Sequence, residues 1–170
     1  MKKSGRIWAS VLALVCATSV GAQEAAVPAT EAASRDGITK DMCVAWVQKA
    51  VAAAQVDVAA MFKAINASEE PYQSKDNPEL YVFVYDLDVN IVAHPKAALV
   101  GKNYKGKPDA KGKKFRDDIV AGALKDGKGW VDYMYQKPGE EGLHPKTTCF
   151  EIVTASDGKQ YVLCCGKYLD

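Results

Sequence analysis

The chain has 170 residues, of which 48% are hydrophobic and 25% are charged, and this composition is typical of one globular domain. Lys and Arg together number 22 and Asp and Glu number 21, so the formal net charge is only +1. Proteins that bind nucleic acid or a membrane surface usually carry clustered charge of one sign. We therefore expect a single domain that binds neither nucleic acid nor membrane.

The first 22 residues have the pattern of a secretory signal peptide. Basic residues near the start precede an apolar run, residues 7–20, and the small-residue sequence Val20-Gly21-Ala22 follows. The run is shorter than the roughly 20 residues that a membrane-spanning helix needs. We predict cleavage after Ala22, which would give a periplasmic protein that starts at Gln23 and does not insert into the membrane.

A flexible tether and then a long helix are predicted next. Residues 23–37 are rich in Ala and Glu and contain Pro28, so they are expected to form a tether without regular structure. From Ile38 to about Asn66, apolar residues recur at alternating steps of three and four, which is the spacing of one helix face. The sequence therefore predicts a long amphipathic helix, followed by a loop over residues 67–79.

A hairpin and a short helix are predicted in the middle of the chain. Residues 80–86 are β-branched and aromatic, and residues 90–94 form a second short run of this kind, so together they predict a hairpin. A loop is expected over residues 95–112. Residues 114–126 carry apolar side chains at helical spacing, and Gly127 ends the pattern, which predicts a short amphipathic helix.

Three more strands are predicted, at residues 129–135, 147–154 and 160–168. Asp157-Gly158 separates the last two, and this dipeptide favours a two-residue turn because it accepts positive φ angles. The order of elements predicts one α+β domain over residues 38–170. In this domain a long N-terminal helix packs on a five-stranded antiparallel sheet, with a short helix between strands 2 and 3.

Six short stretches resemble the single Cache domain family, the extracytoplasmic sensor modules of bacterial chemoreceptors and histidine kinases. In order, they are YVFVYD at 81–86, AHP at 93–95, LVGKN at 99–103, GK at 112–113, GWVDY at 129–133 and PK at 145–146. The resemblance implies a PAS-like Cache fold with a small-molecule pocket on the sheet face away from the long helix. It also makes the periplasmic part of a membrane receptor or kinase an expected partner. The sequence departs from the family at Val89, where the first hairpin usually has a glycine.

Candidate ligand-binding residues lie on or beside the predicted strands. Aromatic side chains that carry a few polar groups are the usual lining of pockets for small organic ligands. A lysine that opens a strand is a suitable carboxylate partner through a charge-assisted hydrogen bond. We therefore predict that Tyr81, Trp130, Tyr133 and Lys146 line the pocket with His94 at its rim, and that the ligand is a small carboxylate or an amino-acid-like metabolite.

The sequence lacks the motifs of an active site. It contains only two histidines, and it has no Ser-His-Asp order, G-x-S-x-G, phosphate-binding loop or H-E-x-x-H. We therefore predict a binding protein that is not an enzyme and has no cofactor or metal. Two other classes stay open: a periplasmic structural or partner-docking protein without a ligand, and a cysteine-based metal or redox protein.

Four cysteines follow the predicted cleavage site, and export to an oxidising compartment favours two disulfides among them. Cys164 and Cys165 are adjacent on a strand and point to opposite faces, so they do not easily bond to each other. With a two-residue turn before them, Cys149 shares a face with Cys164 and Cys165 faces the long helix. This register favours the pairs Cys43–Cys165 and Cys149–Cys164, whereas a one-residue bulge would exchange the roles of Cys164 and Cys165.

Overall fold

The structure, a computed structural model, describes residues 37–137 and 139–169. The predicted signal peptide and nearly all of the predicted tether lie outside these residues. The elements in chain order are α1 (Lys40–Asn66), β1 (Val82–Tyr85), β2 (Ile91–Ala93), α2 (Phe115–Asp126), β3 (Lys128–Tyr135), β4 (His144–Thr154) and β5 (Gln160–Tyr168), with a 3-10 turn at Ala97–Leu99. Within the described ranges, no helix has both the length and the apolar character needed to cross a bilayer.

The five strands form one antiparallel sheet in the order β2-β1-β5-β4-β3. Side chains alternate along each strand, so each face of the sheet has its own apolar cluster. The cluster on one face joins α1 to alternate residues such as Val82 and Leu163. The cluster on the other face joins α2 to residues such as Phe83 and Phe150. The predicted α+β fold, with a long helix packed on a five-stranded antiparallel sheet, is therefore confirmed.

Helix α1 has a kink that is held by the turn between β4 and β5. Asp57 departs from helical geometry, and its carboxylate accepts a hydrogen bond from the amide of Ala60 at 2.9 Å, which caps the second half of the helix. Ser156 lies in the turn beside this break. Its hydroxyl accepts from the amide of Val58 at 2.9 Å, and its own amide donates to the carbonyl of Ala54 at 2.9 Å. The two Ser156 bonds thus satisfy backbone groups that the kink removes from the helix.

We expect Ser156→Ala to lower the free energy of unfolding by about 1 kcal/mol, because the substitution removes the hydroxyl that accepts from the partly buried amide of Val58. Chemical denaturation measures this change. Ser156→Thr is the matched control, because it keeps the hydroxyl at an exposed position. Equal loss of stability in both variants would contradict the role of this hydrogen bond.

Val89 takes the left-handed conformation that the family's glycine would supply. Its φ is 64°, which is unusual for a β-branched residue. The turn is held by the Asp86 carboxylate, which accepts from the amides of Asp88 at 3.0 Å and Asn90 at 2.8 Å. The Val89 side chain is buried in the cluster on the α2 side. The turn therefore keeps a strained backbone and gains a buried apolar side chain.

The turn between β4 and β5 differs from the predicted two-residue form. Ala155 donates to the carbonyl of Lys159 at 2.8 Å and Gly158 donates to the carbonyl of Ala155 at 2.9 Å, so three residues form the loop. Gly158 has a φ of 78°, which suits a glycine at the end of such a loop. The extra residue shifts the register by one position. Cys149 therefore stands directly opposite Cys165.

The predicted disulfides are absent from the structure, where Cys43, Cys149, Cys164 and Cys165 are buried free thiols. Cys43, Cys149 and Cys165 belong to the cluster between α1 and the sheet, as predicted for Cys43 and Cys165. Cys164 belongs to the cluster on the opposite face. The predicted pair Cys149–Cys164 is therefore wrong, because the shifted register places the sheet between the two side chains.

Candidate functional site: a cationic cavity beneath the loops

A cavity with a volume of about 690 Å³ lies on the sheet face opposite α1. Its wall includes Tyr81, His94 and Arg116, together with loop residues 108–110 and the stretch from Met134 to Lys137. This is the face that the sequence resemblance implied. A second, much smaller space of about 10 Å³, lined mainly by aromatic side chains of the same cluster, lies next to it.

Lys146 is a buried cation behind the wall of this cavity. Its side chain is only 1% exposed, and its ammonium donates to the Tyr81 hydroxyl at 2.9 Å. The ammonium also lies 4.5 Å from the centre of the Tyr81 ring and 4.7 Å from that of Tyr168. Burial lowers the pKa of Lys146 from its usual value. Among the ion pairs of the described residues, none supplies Lys146 with a carboxylate.

Gly166 makes room for the Lys146 side chain. A Cβ atom at Gly166 would lie 2.8 Å from the Lys146 Cε and 2.8 Å from the Thr147 carbonyl oxygen. It would also collide with the Thr148 hydroxyl. The aliphatic part of the Lys146 side chain therefore packs directly over Gly166, which has no side chain.

Gly166→Ala should lower the free energy of unfolding by about 1 to 3 kcal/mol, because the new methyl group meets fixed backbone as well as the lysine stem. We also expect weaker ligand binding, since the lysine must move. Denaturation and calorimetry measure the two effects. Gly37→Ala is the matched control, because a Cβ there meets no atom within 4 Å. A Gly166→Ala protein as stable as this control would contradict the close contact.

Arg116, in the first turn of α2, is a second buried cation, and it lines the cavity. It is 8% exposed, and its guanidinium lies 4.2 Å from the ring centres of both Phe115 and Tyr104. Its Nε has no hydrogen-bond partner in the described part of the chain. A buried donor without a partner costs free energy, so an acceptor brought within reach of this atom would remove that cost.

His94 presents one ring nitrogen as a donor. Its Nδ1 accepts from the backbone amide of Lys96 at 2.8 Å, so in the neutral ring the proton is on Nε2. Burial, followed by the nearby charges of Lys146 and Lys96, lowers the pKa of His94 to about 4. The ring is therefore neutral at pH 7. Its backbone is fixed as well, because its amide donates to the Asn66 side chain at 2.9 Å.

The structure brings four of the five predicted ligand residues to this face. Tyr81 and His94 line the cavity, and Lys146 lies behind Tyr81. Tyr133 lines the smaller space, and its hydroxyl makes a hydrogen bond of 2.8 Å with Thr148.

Trp130 does not belong to the site. It packs against the cluster on the α1 face, with the Lys40 ammonium 4.9 Å from its ring centre. It pairs directly with Cys149 in the sheet, whereas Tyr133 pairs with Lys146. Because side chains alternate along β3, Trp130 and Tyr133 point to opposite faces. The prediction of a ligand contact for Trp130 is therefore corrected.

The loop over the cavity is fastened to the edge strand β3 by Asp109. One carboxylate oxygen accepts from the amides of Lys111 and Lys113, each at 2.9 Å, and the other accepts from the amide of Met134 at 2.9 Å. The bond from Met134 is the main cause that lowers the pKa of Asp109. Asp109 thus holds residues 108–110 against the cavity.

Asp109→Ala is expected to release this loop. We predict faster hydrogen exchange at the Met134 amide and weaker ligand binding, with little change in the core strands. Hydrogen exchange followed by mass spectrometry measures the first effect. Asp132→Ala is the control, because Asp132 is an exposed residue of β3, two positions before Met134. Unchanged exchange at Met134 in Asp109→Ala would contradict the fastening role.

Residues 45–170 match the sequence model of a family described as Cache domain. The chain belongs to the Cache domain family. Cache domains are extracytoplasmic sensor and ligand-binding domains, so the general class predicted from the sequence is confirmed.

The Cache chain resembles part of a larger receptor. It is 34% identical over 91 residues to the sensor histidine kinase MctS of Rhizobium johnstonii, which covers 53% of this chain and 19% of the kinase. The matched segment therefore spans about a fifth of that kinase.

Solved Cache and chemoreceptor structures share the fold. A periplasmic sensor domain of a chemotaxis protein is 27% identical with a TM-score of 0.59, covering 75% of this chain and 88% of that one. A Cache chemosensory domain described for carboxylic acid recognition is 23% identical with a TM-score of 0.60, covering 76% and 92%. A methyl-accepting chemotaxis protein from Vibrio parahaemolyticus is 21% identical with a TM-score of 0.60, covering 77% and 88%.

Proposed function

We propose that this Cache domain is an exported binding protein that recognises a small carboxylate in the cavity opposite α1. One observation carries the proposal: Lys146 and Arg116 are both buried on the cavity side of the sheet, and neither forms an ion pair with an acidic residue in the described ranges. Burying a cation without a counter-charge is costly. A bound carboxylate would supply the missing negative charge to both.

The donors in and behind the cavity wall suit an anion. Arg116 has a free Nε, His94 keeps a proton on Nε2, and Lys146 is reached through the Tyr81 hydroxyl. Charge-assisted hydrogen bonds of this kind are the strong ones, and a carboxylate has two oxygens to accept them. The proposal involves binding alone and no catalytic step.

The charges favour a simple carboxylate over an amino-acid-like ligand. Asp109 is the acidic residue among those that line the cavity, and three backbone amides already occupy its carboxylate. The cationic residues of the same wall are Lys96 and Arg116, together with Lys137, whose ammonium pairs with Glu140 at 2.6 Å and with Glu79 at 3.6 Å. A ligand ammonium group would thus meet positive charges without a free carboxylate. The neighbour described for carboxylic acid recognition has the same fold and agrees with this choice.

A thermal-shift panel tests the proposal, because a ligand that binds only the native state raises the Tm. The panel pairs acetate, propionate and lactate with acetamide, propionamide and lactamide, and adds glycine and alanine. We expect at least one carboxylate to raise the Tm in a concentration-dependent way, while its amide and the amino acids do not. Equal shifts with acid and amide, or no shift with any acid, would contradict the proposal.

We also propose that the mature protein is periplasmic and works with the periplasmic part of a membrane receptor or kinase. The apolar run before Ala22 and the likeness to a periplasmic sensor domain and a sensor kinase support this. The intact mass of the exported protein should correspond to a chain that starts at Gln23. A mass that retains residues 1–22 would contradict the proposed export.

A further inference from the structure

Three buried cysteines from three different elements belong to the apolar layer between α1 and the sheet. Cys43 comes from α1, Cys149 from β4 and Cys165 from β5, and their exposed fractions are 0%, 4% and 0%. The Cys149 thiol donates to the Cys165 carbonyl oxygen at 3.2 Å. The ligand cavity lies on the other face of the sheet, so the proposed function makes no use of this cluster.

The two strand cysteines are poorly placed to bond with each other. Leu169 donates to the Pro145 carbonyl at 2.8 Å, and the register from this pair to Cys149 and Cys165 is unbroken. Hydrogen-bonded pairs recur at every second position, so Cys149 and Cys165 form such a pair, with Cα atoms about 5.5 Å apart and Cβ atoms wider than in the alternate pairs. A disulfide needs Cβ atoms about 3.5 to 4.5 Å apart. The partner for a disulfide must therefore come from α1.

Cys43 has the surroundings of a reactive thiol. The start of α1 lies over the part of the sheet that contains Cys149, because the Lys40 ammonium lies 4.9 Å from the ring centre of Trp130, which pairs with Cys149. The neighbouring thiols of Cys149, first, and of Cys165 lower the pKa of Cys43, and the charge of Lys146 acts in the same direction. Cys43 also lies in the first turn of α1, where the helix dipole favours a thiolate. Its immediate neighbour Met42 is held by the cap, because the Met42 amide donates to the Thr39 hydroxyl at 3.1 Å. Helix ends fray more readily than helix interiors, so Cys43 lies in the part of α1 that opens most easily.

We propose that Cys43, Cys149 and Cys165 form a redox site in which Cys43 and Cys149 form a reversible disulfide. The oxidant is another disulfide, either a small molecule or a protein. The Cys43 thiolate attacks one sulfur of that disulfide and releases the other sulfur as a thiolate, which gives a mixed disulfide. The Cys149 thiol gives its proton to the released thiolate, and the Cys149 sulfur then attacks the Cys43 sulfur and releases the second external sulfur as a thiolate, so two protein thiols are oxidised and one external disulfide is reduced. The bond ties the start of α1 to the centre of the sheet.

Incubation of the wild type with oxidised glutathione, followed by mass spectrometry without reduction, tests the proposal. We expect the intact mass to fall by two hydrogen atoms, and peptide mapping to join Cys43 to Cys149. The bond closes a loop over most of the domain, so the Tm should rise by about 10 °C and return to its starting value with dithiothreitol. Four unmodified thiols, or a bond between Cys149 and Cys165, would overturn the proposal.

Cysteine variants distinguish the members of the cluster. Cys43→Ala and Cys149→Ala should lose both the mass change and the rise in Tm, whereas Cys164→Ala, on the opposite face, should keep both. Thr39→Ala, which weakens the first turn of α1, should speed the oxidation without changing the bonded pair. A Cys43→Ala protein that still loses two hydrogen atoms would overturn the proposal. The peptide map of the oxidised wild type tests the proposal even if a variant fails to fold.

Discussion

Lys146→Met should weaken carboxylate binding by about 10- to 150-fold, the equivalent of about 1.5 to 3 kcal/mol for a lost hydrogen bond to a charged group. The free protein should be at least as stable as the wild type, because methionine fills a similar volume without burying a charge. Calorimetry with the carboxylate chosen from the panel measures the affinity, and denaturation measures the stability.

The pH dependence of stability separates Lys146 from a merely structural residue. Burial lowers the pKa of Lys146 below 10.5, so the unfolded chain binds the proton more tightly than the folded protein. The contribution of Lys146 to stability is therefore full above pH 10.5 and is lost as the pH falls through the folded-state pKa. Lys146→Met should lack this slope at alkaline pH.

Lys114→Met is the matched control for charge and size, since Lys114 is exposed just before α2. It should bind the carboxylate as the wild type does. Arg116→Met should reproduce the loss seen in Lys146→Met. Full affinity in Lys146→Met, or equal losses in Lys146→Met and Lys114→Met, would show that the buried lysine has no role in binding.

Acidification should destabilise the protein through His94. The pKa of His94 is lowered from 6.5 to about 4 by burial, so the unfolded chain takes up the proton first as the pH falls. The stability that His94 contributes is complete above pH 6.5 and is lost towards pH 4. The loss amounts to about 3 kcal/mol, given 1.36 kcal/mol for each unit of pKa difference.

His94→Asn is the sharpest variant for this prediction, because the asparagine oxygen can replace Nδ1 as the acceptor for the Lys96 amide. Denaturation at a series of pH values between 7 and 4 should give a flatter dependence for this variant than for the wild type. Identical pH dependence in the two proteins would contradict the assignment of the acid-sensitive step to His94.

Local patterns predicted the elements, whereas distant contacts decided their details. The three-and-four spacing of apolar residues was enough to predict α1. The kink at Asp57 depends on Ser156, which is 98 positions from the amide it binds and gives no signal in the helix itself. The tolerance of Val89 for a positive φ likewise depends on Asp86 and on burial, not on the local propensity of valine.

The residue types at the candidate site were predictable from the sequence, but the full set of residues that lie there was not. The residue types of Tyr81, His94 and Lys146 indicated a polar aromatic pocket, and all three lie on the cavity side of the sheet. Trp130 was misplaced because Trp130 and Tyr133, three positions apart on β3, were assigned to the same face although side chains alternate along a strand. Arg116 was missed because an arginine at the start of a short amphipathic helix resembles a solvent-exposed residue; its only signal was the neighbouring Phe115.

The pairing of Cys149 with Cys164 was mispredicted because of one turn, the loop between β4 and β5. Asp157-Gly158 fits both a two-residue and a three-residue loop, since each accepts a glycine with positive φ. One additional loop residue changes which side chains share a face. Cys149 therefore joins Cys43 and Cys165 instead of Cys164.

In the proposed complex, Lys146 and Arg116 hold the carboxylate of a small ligand. The most direct measurement is a calorimetric titration of one carboxylate and its amide into the wild type and into Lys146→Met. We expect saturable binding of the acid to the wild type, at least tenfold weaker binding to Lys146→Met, and no binding of the amide to either. Binding of acid and amide with equal affinity, or the same affinity of the acid for both proteins, would show that these cations do not hold a carboxylate.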